Sequence, residues 1–461
     1  MMADSGTQPN RKRWNLTVDW SIKLVAAGMP CMLVLAHFFS GADTVNATAL
    51  FSLLSFVAFG ILILGTGLSN ITTGMLALAG IFALWLAFGL FGNWYQARTE
   101  VMALAAGLAI WSTGRIVGGS SIGLQFAKSA LVWTLLFFAL VAFVAHLIGQ
   151  QDASSVIHRE FKGRLMAGFG SPNTAATLFV IASLIAVSSI GLILKHREFR
   201  TQKRSDQITY LIGKGFSGHA LLIISFSCLV LTASRAGNAI GLLVLITLIV
   251  FDFRIATRST KRSRSSLLSR IRSAKAMTLM VLSGGLAFLI WSGGTLASRS
   301  ANIMNDTGER GELYSTYWNI WRDQPWFGHG LGSFNAVNDA AMTMDAAPQM
   351  LPVGAAHNVV LQWLIQQGLV GTVLMLGIIM ALHQPILKAL IEPSDRPRNF
   401  LRMVIAVSVV LLTHGMFDYA LEIPSIMWTW ALLLGLGTGF ADRNRANKTV
   451  DPDYYPSGEA S

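Results

Sequence analysis

His357 and Asn358 stand at the border between a polar segment, residues 293–356, and an apolar run that starts a new helix. Arg310 lies in the same polar segment, and Arg235 lies in a tight Ser-Arg-Ala-Gly turn between two other apolar runs. An arginine fork matches phosphate oxygens bidentately. A neutral imidazole accepts a proton from a hydroxyl. The partial positive charge of a helix N-terminus and the nearby arginines both disfavour an imidazolium at His357. Together these residue types suit proton and anion chemistry on a lipid-linked phosphate at a membrane surface. Each also has a plainer reading. Arg235 could snorkel to the interface, Arg310 could pair with Glu309 or Glu312, and His357 could be a satisfied structural group like His37, His146, His219 and His383.

Other residues could join them. The segment 149–173 carries His158, Arg159, Lys162 and Arg164 before Ser171-Pro172-Asn173, cations that suit either phosphate attraction or a solvated face. Asp418, with His414 one turn earlier, could orient His357 or contact an acceptor, or it could cap the connection that leads to Glu422-Ile423-Pro424. Asn358 follows the candidate base directly. The stretch Phe327–Phe334 is rich in glycine but lacks the GK[ST] ending of a phosphate-cradling Walker loop, so it reads as a turn that positions backbone. No HExxH, DxD or paired-carboxylate signature accompanies these residues, so no metal or cofactor is expected.

The elements that position these residues are membrane helices. Hydrophobic residues make up 53% of the 461 and charged residues 13%, about half the charged share of a soluble domain. At roughly 20 apolar residues per span, about twelve spans are expected, near 21–40, 48–68, 72–92, 99–117, 124–148, 174–194, 215–232, 236–252, 276–292, 357–381, 400–417 and 424–440. The fourth is interrupted by Arg115. Leu313, Tyr317, Ile320 and Trp321 recur at helical spacing in the polar segment, so an amphipathic helix is expected from Glu309 to about Gln324, opened near Arg310 and stopped by Pro325. Cys31 and Cys228 lie in apolar runs and carry no disulfide or zinc pattern.

The net charge of +12 comes from Lys and Arg in short loops, which is a topology signal and not a nucleic-acid footprint. Those loops, around 195–214, 254–275 and 388–398, fall on one side together with both termini, and the positive-inside rule makes that side cytoplasmic. The expected organisation is a cytoplasmic tail 1–20, spans over 21–292, a large periplasmic loop 293–356, spans over 357–440 and a cytoplasmic tail 441–461. The polar stretches 1–14 and 442–461 are expected to be disordered.

The chain resembles the O-antigen ligase and polymerase superfamily of bacterial membrane glycosyltransferases. The resemblance rests on Thr232-Ala-Ser-Arg-Ala-Gly237, Arg310 with its Trp/Tyr-rich helix, Asp323-Gln-Pro-Trp-Phe-Gly-His-Gly-Leu-Gly-Ser-Phe334, Ala356-His-Asn-Val-Val-Leu-Gln-Trp-Leu-Ile-Gln-Gln-Gly-Leu-Val-Gly371 and Phe169-Gly-Ser-Pro-Asn173. It implies a polyprenyl-diphosphate-linked glycan donor, usually undecaprenyl, used at the periplasmic face of the inner membrane. It also implies that Arg235 and Arg310 hold the diphosphate and that His357 is the essential base. The implied reaction is inverting and metal-independent. Arg159, Arg164, Asn358 and Asp418 are looser candidates for contacts to donor or acceptor.

Within that superfamily, one large polar loop and one modest one favour a ligase acting on lipid A–core or a similar acceptor over a polymerase joining lipid-linked repeats. A transporter would place ionisable residues mid-bilayer and show internal repeats, and neither pattern is present. A purely structural scaffold would have no use for Arg310 and His357 at the loop's edges.

Overall fold

The computed structural model describes residues 8–89, 94–149, 163–195, 215–258, 303–343, 350, 354–392 and 398–449. Every regular element among them is helical. The α-helices among the described residues are α1 (Gln8–Phe38), α2 (Val45–Thr66), α3 (Thr73–Gly89), α4 (Trp94–Gly119), α5 (Ser121–Leu147), α6 (Pro172–Lys195), α7 (Phe216–Leu231), α8 (Arg235–Arg258), α9 (Ile303–Asp323), α10 (Phe334–Ala341), α11 (Val359–Ile391), α12 (Asn399–His414) and α13 (Pro424–Thr449).

Among the described residues six helices, in α1, α2, α4, α5, α6 and α11, are long and apolar enough to cross a membrane. Apolar helices of 10–17 residues lie in α3, α7, α8 and α12. The expected span 276–292 and the flanking residues 293–302 lie outside the described residues. The outer surface is apolar, with Leu53, Leu64, Phe137, Leu243 and Met380 all exposed, as lipid-facing positions require. At the centre stands α6, whose apolar residues run all round the helix and are almost entirely buried. The polar stretches expected to be disordered are partly helical, since α1 begins at Gln8 and α13 runs to Thr449.

The closest helix pair is α4 with α13. A Cβ on Gly435 would lie 2.2 Å from the Trp111 carbonyl, and one on Gly114 would lie 2.8 Å from that of Leu432. Only glycine allows this backbone approach, which is how membrane helices gain packing energy without a hydrophobic drive between them. Arg115, expected to interrupt the fourth span, instead sits near the end of α4. It bonds Asp442 at 2.9 Å and the Thr72 hydroxyl at 2.9 Å. The Trp428 indole donates to the Ala103 carbonyl at 2.8 Å, near the start of both helices, so α4 and α13 run parallel.

One end of the bundle therefore collects the starts of α4, α6, α8, α11 and α13 and the ends of α1, α7 and α12. His37 of α1 bonds Ser425 of α13 at 2.8 Å, and His414 of α12 bonds Thr177 of α6 at 2.8 Å. The amphipathic helix α9 lies at this same end against α11.

Candidate active site

The junction at His357 is built by its neighbour. Asn358 is the N-cap of α11, and its side-chain oxygen accepts from the Val360 and Leu361 N–H groups at 3.1 Å each. The Val359 N–H donates across to the Gly415 carbonyl at 2.8 Å. His357 therefore stands one residue before the N-cap and not on the helix's first turn. Its φ is +52°, a left-handed conformation that costs a non-glycine residue about 1 kcal/mol or more and persists only where the surroundings hold it.

Three residues hold it. The Tyr314 hydroxyl, from α9, donates to the His357 carbonyl at 3.0 Å. Asp418 places Oδ1 3.9 Å from His357 Nδ1, while its Oδ2 accepts from the Ala420 N–H at 3.1 Å. The Tyr419 ring meets the imidazole edge-on, with centroids 5.0 Å apart. Asp418 therefore closes the Ala420–Glu422 turn and faces the histidine. Its side chain is fully buried, whereas that of His357 is 26% exposed, so the ring has a buried carboxylate behind it and an accessible face ahead.

Tyr419 extends this contact to the 163–174 segment, where its hydroxyl lies beside Gly170 and Ser171. Burial first, then the Asp418 carboxylate, pushes its phenol up to about 12, so it is a neutral hydroxyl at physiological pH. The same segment is tied to the Arg235 turn. Arg164 donates to the Thr232 carbonyl at 2.8 Å and to Asn173 Oδ1 at 3.3 Å, and the Leu165 N–H donates to the Leu231 carbonyl at 2.9 Å. Arg164 thus braces the turn that carries Arg235. Arg235 opens α8, half-buried, at the same end of the bundle as His357. Arg159 lies outside the described residues.

Helix α9 begins at Ile303, so Arg310 stands two turns inside it, not at its start as the sequence suggested. No proline stands between Ile303 and Glu309, so nothing forces the helix to begin at Glu309. Arg310 occupies the register position one turn before Tyr314. The buried stripe Leu313, Tyr317 and Ile320 packs on Phe334, Met350, Ala356, Leu361 and Ile365. The expected apolar face thus exists, and it covers protein. The Tyr317 hydroxyl donates to Asn338 at 2.8 Å, and burial raises its phenol.

The glycine-rich stretch is the second support of α11. That helix breaks at Gly368, where φ is +62°. The carbonyls of Ile365 and Gln366 accept from the His329 and Gly330 N–H groups at 2.8 Å each, and the Leu369 N–H donates to the Pro325 carbonyl at 2.8 Å. A Cβ on Gly368 would lie 2.3 Å from the Trp326 carbonyl. The Pro-Trp-Phe-Gly-His-Gly stretch and the Gln-Gln-Gly stretch are thus one hydrogen-bonded unit. Gln366 donates onward to Glu100 of α4 at 3.0 Å, and Glu100 also bonds the Gly332 backbone.

Two acids that the sequence reading passed over lie just behind. Glu422 ends the turn that Asp418 closes, and burial, then the Glu100 and Asp43 carboxyls, pushes it up to about 8. Burial alone pushes Asp43 up to about 6. No group of three or more His, Cys, Asp or Glu side chains able to hold a metal occurs among the described residues.

Residues 220–376 match a family model described as O-antigen ligase. The match runs from α7 through the Arg235 turn, α9 and the glycine-rich stretch to the middle of α11. A comparison with curated proteins finds no match.

Proposed function

We propose, with the O-antigen ligase domain at 220–376 as premise, that this multi-pass membrane protein transfers a glycan from an undecaprenyl-diphosphate carrier to an acceptor hydroxyl, on lipid A–core or a similar glycolipid, at the periplasmic face of the inner membrane. The observation that carries the reading is the contact set around His357: Tyr314 of α9 on its carbonyl and Asp418 on its Nδ1 side. The reading is supported by the bond from Tyr314, on the helix that bears Arg310, to the His357 carbonyl.

In the proposed step the acceptor oxygen attacks the anomeric carbon and the bond from that carbon to the diphosphate oxygen breaks. His357 Nε2 takes the hydroxyl proton, and Asp418, facing Nδ1, favours the imidazolium that forms. The electron pair leaves with the diphosphate, whose growing charge Arg310 and Arg235 stabilise. Attack from the side opposite the leaving group gives inversion. No step draws on a metal. Asn358 serves by capping α11 and fixing the turn before it, and Arg159 and Arg164 add positive charge and bracing around the donor.

Product size tests the reading. Purified protein in nanodiscs is given polyprenyl-diphosphate-linked glycan, with and without lipid A–core, in EDTA. Transfer that requires lipid A–core is the expected result. Lengthening of the lipid-linked glycan without added acceptor would instead make the protein a polymerase. No product under either condition would overturn the glycosyltransfer reading.

A further inference from the structure

The end of the bundle opposite His357, where α4, α11 and α13 stop and α5 and α12 start, holds two cations on one pair of rings. Lys128 of α5 places its Nζ 4.4 Å from the centre of the Phe400 ring of α12. Arg443 of α13 lies over the Phe440 ring, with Cζ 5.3 Å from its centre. The two rings meet edge to face, with centroids 6.3 Å apart and planes at 84°. The Arg443 charge reaches Lys128, and both side chains are half-buried. Helix α5 does not pack along α12 or α13, so Lys128 links helices that otherwise stand apart.

Two like charges brought together in an apolar setting repel, and an anion between them removes the cost. Acids on the neighbouring helix ends are committed elsewhere: Asp442 bonds Arg115 at 2.9 Å and Glu392 bonds Arg445 at 3.0 Å. A ring face attracts an ammonium but offers no lone pair to its three N–H donors. Among the described residues no oxygen accepts from Lys128. A phosphate supplies what is missing, with several acceptor oxygens that serve an ammonium and a guanidinium at once. The surroundings suit a phosphate that carries chains. Lys128 stands at the edge of the exposed face of α5, beside exposed Gln125, and Ile122, Phe126 and Trp133 make the rest of that face apolar. Lipid chains cover such a face, and basic groups between helices at this level hold anionic heads. We infer that Lys128 and Arg443 bind the phosphate of an anionic phospholipid whose chains lie on the exposed face of α5. The site is at the other end of the bundle from the proposed diphosphate site and stands whether or not the protein transfers glycans.

The test uses the full-length protein in phosphatidylcholine nanodiscs that contain increasing fractions of diazirine-labelled phosphatidylglycerol. Saturable photolabelling of α5, α12 or α13 is expected, displaced by unlabelled phosphatidylglycerol and untouched by inorganic phosphate. Lys128→Met keeps the chain length and removes the charge, and should raise the half-saturating lipid fraction about tenfold. Arg443→Gln should act in the same direction. Lys128→Arg keeps the charge and should bind within a few-fold of the unaltered protein. Lys388→Gln removes an exposed cation near the end of α11 and should leave labelling unchanged. Melting temperature confirms that each variant is folded. Labelling that never saturates, or that a folded Lys128→Met variant retains in full, would overturn the proposal. An equal loss in Lys388→Gln would reduce it to general attraction between the membrane and a basic end. Displacement by inorganic phosphate would overturn the lipid and leave a soluble anion in its place.

Discussion

At the residue scale, the account turns on how His357 is held. Its left-handed backbone is pinned by the Tyr314 hydroxyl on its carbonyl. Tyr314→Phe removes that bond, at about 1 kcal/mol. It should lower the transfer rate about tenfold with little change in donor affinity, read as kcat against KM in the reconstituted assay. Arg310→Ala should lower transfer by about 10²–10³. Arg310→Lys should recover only part of that, because a point charge does not reproduce the bidentate fork. Full activity in the lysine variant would show that charge alone is used. The residue types were legible in the sequence: His357, Arg235, Arg310 and Asp418 all lie at one end of the bundle. Tyr314 and Tyr419 were not singled out, because a tyrosine in an aromatic-rich helix or turn is ordinary until its hydroxyl partner is known. Arg164 reads in sequence as a cation suited to phosphate attraction or a solvated face, and only the fold shows it bonding the Thr232 carbonyl.

At the element scale, the sequence placed most of the described apolar helices and stopped α9 near Pro325, because hydrophobic runs and proline act locally. It did not show the break in α11. Glycine is tolerated inside membrane helices, so an apolar run containing Gly368 reads as continuous. The break is made by tertiary hydrogen bonds from residues 325–330. Gly368→Ala therefore meets both a φ of +62° and the Trp326 backbone. It should cost about 1–3 kcal/mol or more, visible as a lower melting temperature. An unchanged melting temperature would mean that the two segments are not locked together.

The acids behind the site make a second prediction at this scale. The folded state holds Glu422 protonated up to about pH 8, against an ordinary value of 4.5. Its contribution to stability is therefore fully present below about pH 4.5 and is lost as the pH rises through about 8. Asp43 acts with the same sign between 3.8 and about 6. The melting temperature in nanodiscs should fall from pH 5 to pH 9, and Glu422→Gln should flatten that fall. A flat profile in the unaltered protein would contradict the raised carboxyl.

At the scale of the whole molecule, the basic loops predict which end of the bundle faces the cytoplasm. Cysteine labelling tests that direction. Cys228 is buried and Cys31 is exposed on an apolar helix, so Cys31→Ser gives a suitable background. A membrane-impermeant maleimide applied from the periplasmic side should label Asp339→Cys on α10 and spare Lys388→Cys near the end of α11, both exposed positions. The reverse pattern would put the His357 end in the cytoplasm and remove it from periplasmic glycans. Distant contacts were the least legible in the sequence, because nothing local in Gly435 or Gly114 announces that α4 and α13 touch backbone to backbone.

The central claim is that His357 accepts the proton of the attacking hydroxyl. The direct measurement is the initial rate of glycan transfer to lipid A–core, at saturating donor and equal amounts of folded protein, for His357→Ala beside Asn358→Ala. Loss of the base should lower the rate by about 10²–10⁴. Loss of the cap should lower stability by about 1 kcal/mol and the rate far less. A His357→Ala protein that transfers within a few-fold of the unaltered chain would contradict the mechanism.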